Sequence, residues 1–180
     1  PSLSDTDWLA RIRDRLAAHA RVHAALAAPG RPLFLNLGDE PGIADLSAAW
    51  DFDWSPPALA GFRDWLRAEY GTLDALNAQW GAGFASWGAV LPETTDAALA
   101  RGDGNHSSWS DMKAWMDLAF ARAVAAGRDA VAATDPALLA GIAGGQAPGW
   151  GGWNYALLPH AVDVLETNDL GGNVAVAQGF

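Results

Sequence analysis

Between Leu33 and Leu37 the chain reads Leu-Phe-Leu-Asn-Leu, a short apolar run bounded by Pro32 and Gly38. Its length and its breakers predict a buried strand. Two more runs have this character: Ala-Leu-Leu-Ala-Gly-Ile at about 137–142, and Ala161 to Leu165. The intervening segments carry helical signals. A helix is expected from about Thr6 to Ala28, capped by Ser4 or Asp5 and stopped by Pro29-Gly30. Pro56-Pro57 opens a second helix through Tyr70, Gly71 ends it, and Thr72 caps a third up to about Trp80. Residues 81–105, with scattered Gly, Pro and Thr, are expected to be irregular. A long helix is predicted from about Ser108 to Ala133, closed by Asp135-Pro136. Its residues Trp109, Met112, Trp115, Met116, Phe120 and Val124 recur at three- and four-residue steps, a stripe suited to packing against a sheet. A short helix is expected at roughly 154–160.

Strands alternating with helices imply an α/β fold with a parallel sheet and right-handed crossovers. Parallel strands put all their following loops at one end. That end should gather Asp39, Glu40, Gln146, Trp150, Trp153, Glu166, Asn168 and Asp169. Acids just beyond the carboxyl ends of buried strands sit where α/β enzymes keep their chemistry. A half-desolvated carboxylate there can be tuned toward general-acid work. An acidic β-turn at 38–42 is the plainer reading of the same residues.

Composition narrows the classes. The 180 residues are 51% hydrophobic, enough for one domain with a core. Net charge is -10, from 21 acids and 11 bases, which argues against nucleic acid or an anionic membrane as partner. There is no Cys, so thiol catalysis, disulfides and thiolate metal sites are ruled out. No apolar run is long enough to span a bilayer as a helix. The chain begins Pro-Ser-Leu and reads as a piece of a longer one, so the compartment stays open, the cytoplasm slightly favoured. The 10 Trp are unusual. Most should be core, but Trp150 and Trp153 lie in a Gly-rich loop and suit stacking on sugar rings.

No metal or cofactor is expected. His19 and His23 are spaced i, i+4 but lie on a helix that reads as an outer surface one, and His106 and His160 are isolated. Gly144-Gly145 and Gly151-Gly152 lack the residues of a phosphate loop and read as loop flexibility. No Ser sits on a nucleophile elbow. Carboxylate chemistry on an uncharged polar substrate remains, and glycoside hydrolysis fits it best. Glu40 is the acid/base candidate. Asp39 would grip a sugar hydroxyl or tune Glu40. Glu166 suits a second catalytic acid, a substrate contact or a structural role.

The stretch from Phe62 to Gly81 contains Trp65-Leu66, Tyr70-Gly71, Leu76-Asn77 and Trp80-Gly81, with Phe84 and Trp87 beyond. Their order and spacing resemble glycoside hydrolase family 42, the β-galactosidase-like enzymes, over residues 33–95 and more loosely to Gly171. The resemblance implies a (β/α)8 barrel, a retaining mechanism and Glu40 as acid/base. It makes the three strands the fourth to sixth of the barrel and 1–180 a single central fragment of it. The nucleophile, a Glu on the seventh strand, would lie beyond Phe180. Asp39 stands where the family carries Asn, which puts galactoside specificity in question.

Three readings follow. The first is a glycosidase fragment with a carbohydrate substrate, compatible with a homo-oligomer of the full-length protein. The second is a degenerate, non-catalytic carbohydrate-binding barrel, and the third an interaction module without a sugar site. Taken alone, a three-strand slice with unpaired edges is expected to self-associate.

Overall fold

A computed structural model describes residues 2–27, 33–42, 51–145, 153–168 and 172–179. Helix α1 (Thr6–His23) starts on Asp5, whose carboxylate accepts from the N–H groups of Asp7 and Trp8, and passes into a 3-10 turn at Ala24–Leu26. Strand β1 covers Phe34–Asp39. Helices α2 (Pro56–Tyr70) and α3 (Leu73–Trp80) have the expected bounds, with Ser55 and Thr72 accepting at their N-termini. These bounds are set by local chemistry, proline at the first turn and a hydroxyl cap, so they were readable from sequence.

Residues 81–105 are less irregular than expected. They hold a 3-10 turn at Trp87–Ala89 and helix α4 (Thr95–Ala100), capped by the Thr94 hydroxyl. Helix α5 spans Ser107–Ala132. Strand β2 (Leu139–Gly145) lies two to three residues later than expected, and it absorbs Gly144-Gly145, which are strand residues rather than a loop. Helix α6 is short, Leu158–Ala161, and strand β3 begins later than expected, at Val164–Thr167. Helix α7 follows at Asn173–Ala177.

The sheet order is β1-β2-β3, parallel throughout. Helix α5 organises the core, and its stripe does two jobs rather than one. Met112, Trp115 and Met116 pack against Phe62, Leu66, Leu76 and Trp80 of α2 and α3. Phe120 and Val124 pack against Ile142 of the sheet and against Trp153, Tyr155 and Leu158. Val131, at its far end, joins Ala20, Leu138 and Ala140. Gly61 of α2 lets the two helices close up, since a Cβ there would stand 2.8 Å from the Trp115 ring. Central β2 is buried almost throughout, while β1 and β3 are edge strands among the described residues. No helix of the described residues is long and apolar enough to cross a membrane.

Candidate functional site

Both strand pairings slip near their carboxyl ends. On β1 three steps, Asn36 to Asp39, face two on β2, Gly141 to Ala143. On β2 three steps, Ile142 to Gly145, face two on β3, Leu165 to Thr167. Such bulges re-aim the side chains that follow them. Glu40, directly after β1, takes φ +46, a left-handed conformation that a non-glycine residue adopts at a cost. Its N–H donates to the Ala143 carbonyl at 2.9 Å, which ties that conformation to the end of β2. Gly144 beside it has φ +72.

At the end of β3 the Asn168 N–H donates to the Gly145 carbonyl at 2.8 Å. The same residue's Nδ2 donates to Oε1 of Glu40 at 2.9 Å. Glu40 and Asn168 therefore meet above β2, as the parallel alternation required. Asp39 borders the same spot: its Oδ1 lies 3.4 Å from where a Gly144 Cβ would be. Glu166 is exposed on β3, and alternation places it on the face opposite Leu165, which packs toward α5.

Two expectations are corrected. Glu40 was expected half-desolvated, but both it and Asp39 are exposed, because among the described residues only three strands surround this end. Trp153 was expected outside the core. It is 5% exposed, with its ring 6.2 Å from Phe120 and 6.4 Å from Tyr155. Gln146, Trp150 and Asp169 lie outside the described residues. The His19 and His23 rings lie tilted against each other on α1, with centroids 4.2 Å apart. Among the described residues no three His, Asp or Glu side chains gather as a metal site. Gly144, expected as loop flexibility, is instead a strand residue set against Glu40; a glycine pair directly after an apolar run was its signal.

The residues from 62 to 87 build scaffold rather than site. Trp80 Nε1 and the Tyr70 hydroxyl both donate to Oδ2 of Asp111 on α5, at 2.8 and 2.6 Å. Burial, and then the hydrogen bond and charge of Asp111, push the Tyr70 phenol up to about 12. Asn77 pairs twice with the Phe84 backbone, its Nδ2 donating to the carbonyl and its Oδ1 accepting from the N–H. Gly71 (φ +70) and Gly81 (φ +65) supply the left-handed helix ends. A second staple holds the segment before α2. Lys113 on α5, 2% exposed, lies 3.1 Å from Asp51, which also accepts from the Thr95 N–H and hydroxyl. Burial pushes the Asp51 carboxyl up, but the Thr95 donors and the Lys113 ammonium outweigh it and leave it below the usual value.

A three-stranded parallel sheet, with helices on one face and carboxylates at the carboxyl ends of its strands, defines an α/β chain of partial TIM-barrel type. Residues 35–134 match the family profile of glycoside hydrolase family 42, described as beta-galactosidase, and the chain belongs to that family. Solved structures agree on the fold. The cold-adapted beta-galactosidase of Rahnella sp. R3 is similar with TM-score 0.67 at 18% identity, over 93% of this chain and 23% of that one. The beta-galactosidase of Bacillus circulans sp. alkalophilus gives TM-score 0.69 at 15% identity, over 94% of this chain and 24% of that one. The catalytic domain of a Paenibacillus polymyxa beta-amylase gives 0.54 at 19% identity, over 77% of this chain and 38% of that one. The chain thus spans about a quarter of the length of the two galactosidases it matches.

Proposed function

We propose that the full-length protein hydrolyses a β-galactoside-like glycosidic bond with retention of configuration, and that Glu40 is its general acid/base. In this reading residues 1–180 are one piece of the catalytic barrel, with β1, β2 and β3 as its fourth, fifth and sixth strands. The seventh strand supplies the carboxylate nucleophile. Glu40 protonates the leaving oxygen while the nucleophile attacks the anomeric carbon, and then takes a proton from the water that releases the sugar. Asp39 grips a sugar hydroxyl. Gln146, Trp150 and Glu166 contribute to the substrate site, Trp153 belongs to the core beneath it, and no cofactor takes part.

The observation that supports this reading best is the left-handed backbone of Glu40, φ +46, at the carboxyl end of a parallel strand. Strained backbone persists where the surrounding structure fixes it, and it clusters at functional sites. A second reading, carbohydrate binding without turnover, draws on Asp39: an acid in place of an amide accepts hydrogen bonds but donates none when ionised.

The test is hydrolysis of a panel of nitrophenyl glycosides by the full-length protein, wild type beside Glu40→Gln. Cleavage of a β-galactoside that drops by about 100-fold or more in a folded mutant supports the acid/base role. Undiminished cleavage in the mutant would sink it. Sugar binding by a folded wild type that cleaves nothing supports the binding reading instead.

A further inference from the structure

We propose that Gly144 and Asn168 are positioning residues for Glu40. Gly144 leaves its side chain room, and Asn168 holds one carboxyl oxygen so that the other faces the leaving-group oxygen of the sugar. The inference rests on the acid/base reading of Glu40 and goes beyond it.

The geometry around Gly144 is tight. A Cβ on it would stand 2.5 Å from Glu40 Cγ and 3.1 Å from the Glu40 backbone nitrogen. That nitrogen is already fixed by its bond to the Ala143 carbonyl, so the backbone has little freedom to retreat. The side chain would have to swing away instead. Gly144 also has φ +72, which disfavours any side chain of its own. The glycine therefore defines where the Glu40 stem runs.

Asn168 fixes the other end of that side chain. Its backbone is anchored on Gly145, and its Nδ2 donates to Oε1 of Glu40. An oxygen that accepts an N–H bond is the poorer place for the acid's proton, so the proton resides on Oε2. A general acid must hold its proton within hydrogen-bond reach of the leaving oxygen, which makes the choice of oxygen matter. The alternative role for Asn168 is a contact with the sugar itself. Contact with the sugar and positioning of Glu40 predict different dependence on the leaving group. A dinitrophenolate departs without protonation, whereas methanol does not.

The experiment compares kcat/KM of the full-length wild type, Gly144→Ala, Asn168→Ala and Glu40→Gln on methyl and dinitrophenyl β-galactosides. This parameter reports the step in which the leaving group departs. The expected result is a loss of about 10- to 100-fold on the methyl glycoside for both positioning variants, with less than about threefold on the dinitrophenyl one. Equal losses on both substrates would show that Asn168 serves the sugar, and no loss on the methyl glycoside would show that neither residue positions anything. Either result overturns the proposal. If Glu40→Gln itself shows no leaving-group split, the acid/base reading falls as well. If it shows the split and the other two do not, only the positioning role falls. Thermal melts accompany each variant, and should Gly144→Ala fail to fold, Asn168→Ala decides alone.

Discussion

Oε1 of Glu40 accepts a hydrogen bond from Nδ2 of Asn168 at 2.9 Å, joining residues 128 apart in the chain. Each partner sits just beyond an edge strand, and β2 runs between them. Both strand pairings shift register next to these ends, and Glu40 there is left-handed.

That conformation makes a prediction about stability. Glycine adopts φ +46 without the side-chain clash that Glu40 bears. Glu40→Gly should therefore leave stability unchanged or raise it by up to about 1 kcal/mol, the relief of strain being partly offset by unfolded-chain entropy. Urea denaturation measures this. A loss of more than about 1 kcal/mol would mean that the side chain contributes more to the fold than the strain costs.

The Asp51–Lys113 pair predicts a different response. Asp51→Ala removes the carboxylate 3.1 Å from the nearly buried Lys113 ammonium and the acceptor of the Thr95 N–H, while Lys113 still faces the Trp109 ring at 5.6 Å. The expected loss is roughly 2–3 kcal/mol, below the usual range for a broken buried pair because Asp51 itself is only partly buried. The folded Asp51 carboxyl titrates below its unfolded value of 3.8. Its stabilisation is thus fully present above that pH and is lost as the pH falls through the lower folded value. Asp51→Asn should flatten the stability profile in that acid window and nowhere else.

The two tyrosines offer an optical check. Tyr70 is pushed up to about 12 by burial and by Asp111, and burial raises Tyr155 as well. Tyr70 donates to Asp111 only while protonated, so this stabilisation is complete below pH 10, its unfolded value, and is lost as the pH climbs through about 12. Alkaline titration of phenolate absorbance should begin above pH 10. Asp111→Asn should bring Tyr70 down and, with an acceptor kept for Trp80, cost about 1–2 kcal/mol. A wild-type phenolate signal already complete at pH 10 would contradict the Tyr70–Asp111 bond.

Among the described residues β1 and β3 are the edge strands of the sheet, which bears on residues 1–180 expressed alone. Unpaired strand edges template association. Size-exclusion chromatography with light scattering should find dimers or larger species. A monomer with a cooperative melt would show that the edges are covered in solution.

What could be read in the sequence divides by range. The bounds of α2 and α3 were legible because Ser55, Pro56, Gly71 and Thr72 act within one helical turn. The parallel order was legible because alternation leaves few topologies. The end of β2 was not, since Ala143, Gly144 and Gly145 are held as strand by Glu40 and Asn168, partners more than twenty residues away. Helix α4 escaped notice because six residues show no period, only the Thr94 cap. The gathering of Glu40 and Asn168 at one end followed from topology, but the hydrogen bond between them and the burial of Trp153 required coordinates.

The Asp111 hub has an evolutionary consequence. Tyr70, Trp80 and Asn77 answer to folding demands, for each satisfies a partner inside the scaffold and none of their bonds reaches Glu40. A family member without the carboxylate at position 40 would be under the same pressure to keep them. The scaffold bonds and the carboxylate at the strand end therefore rest on different residues, and can be inherited separately.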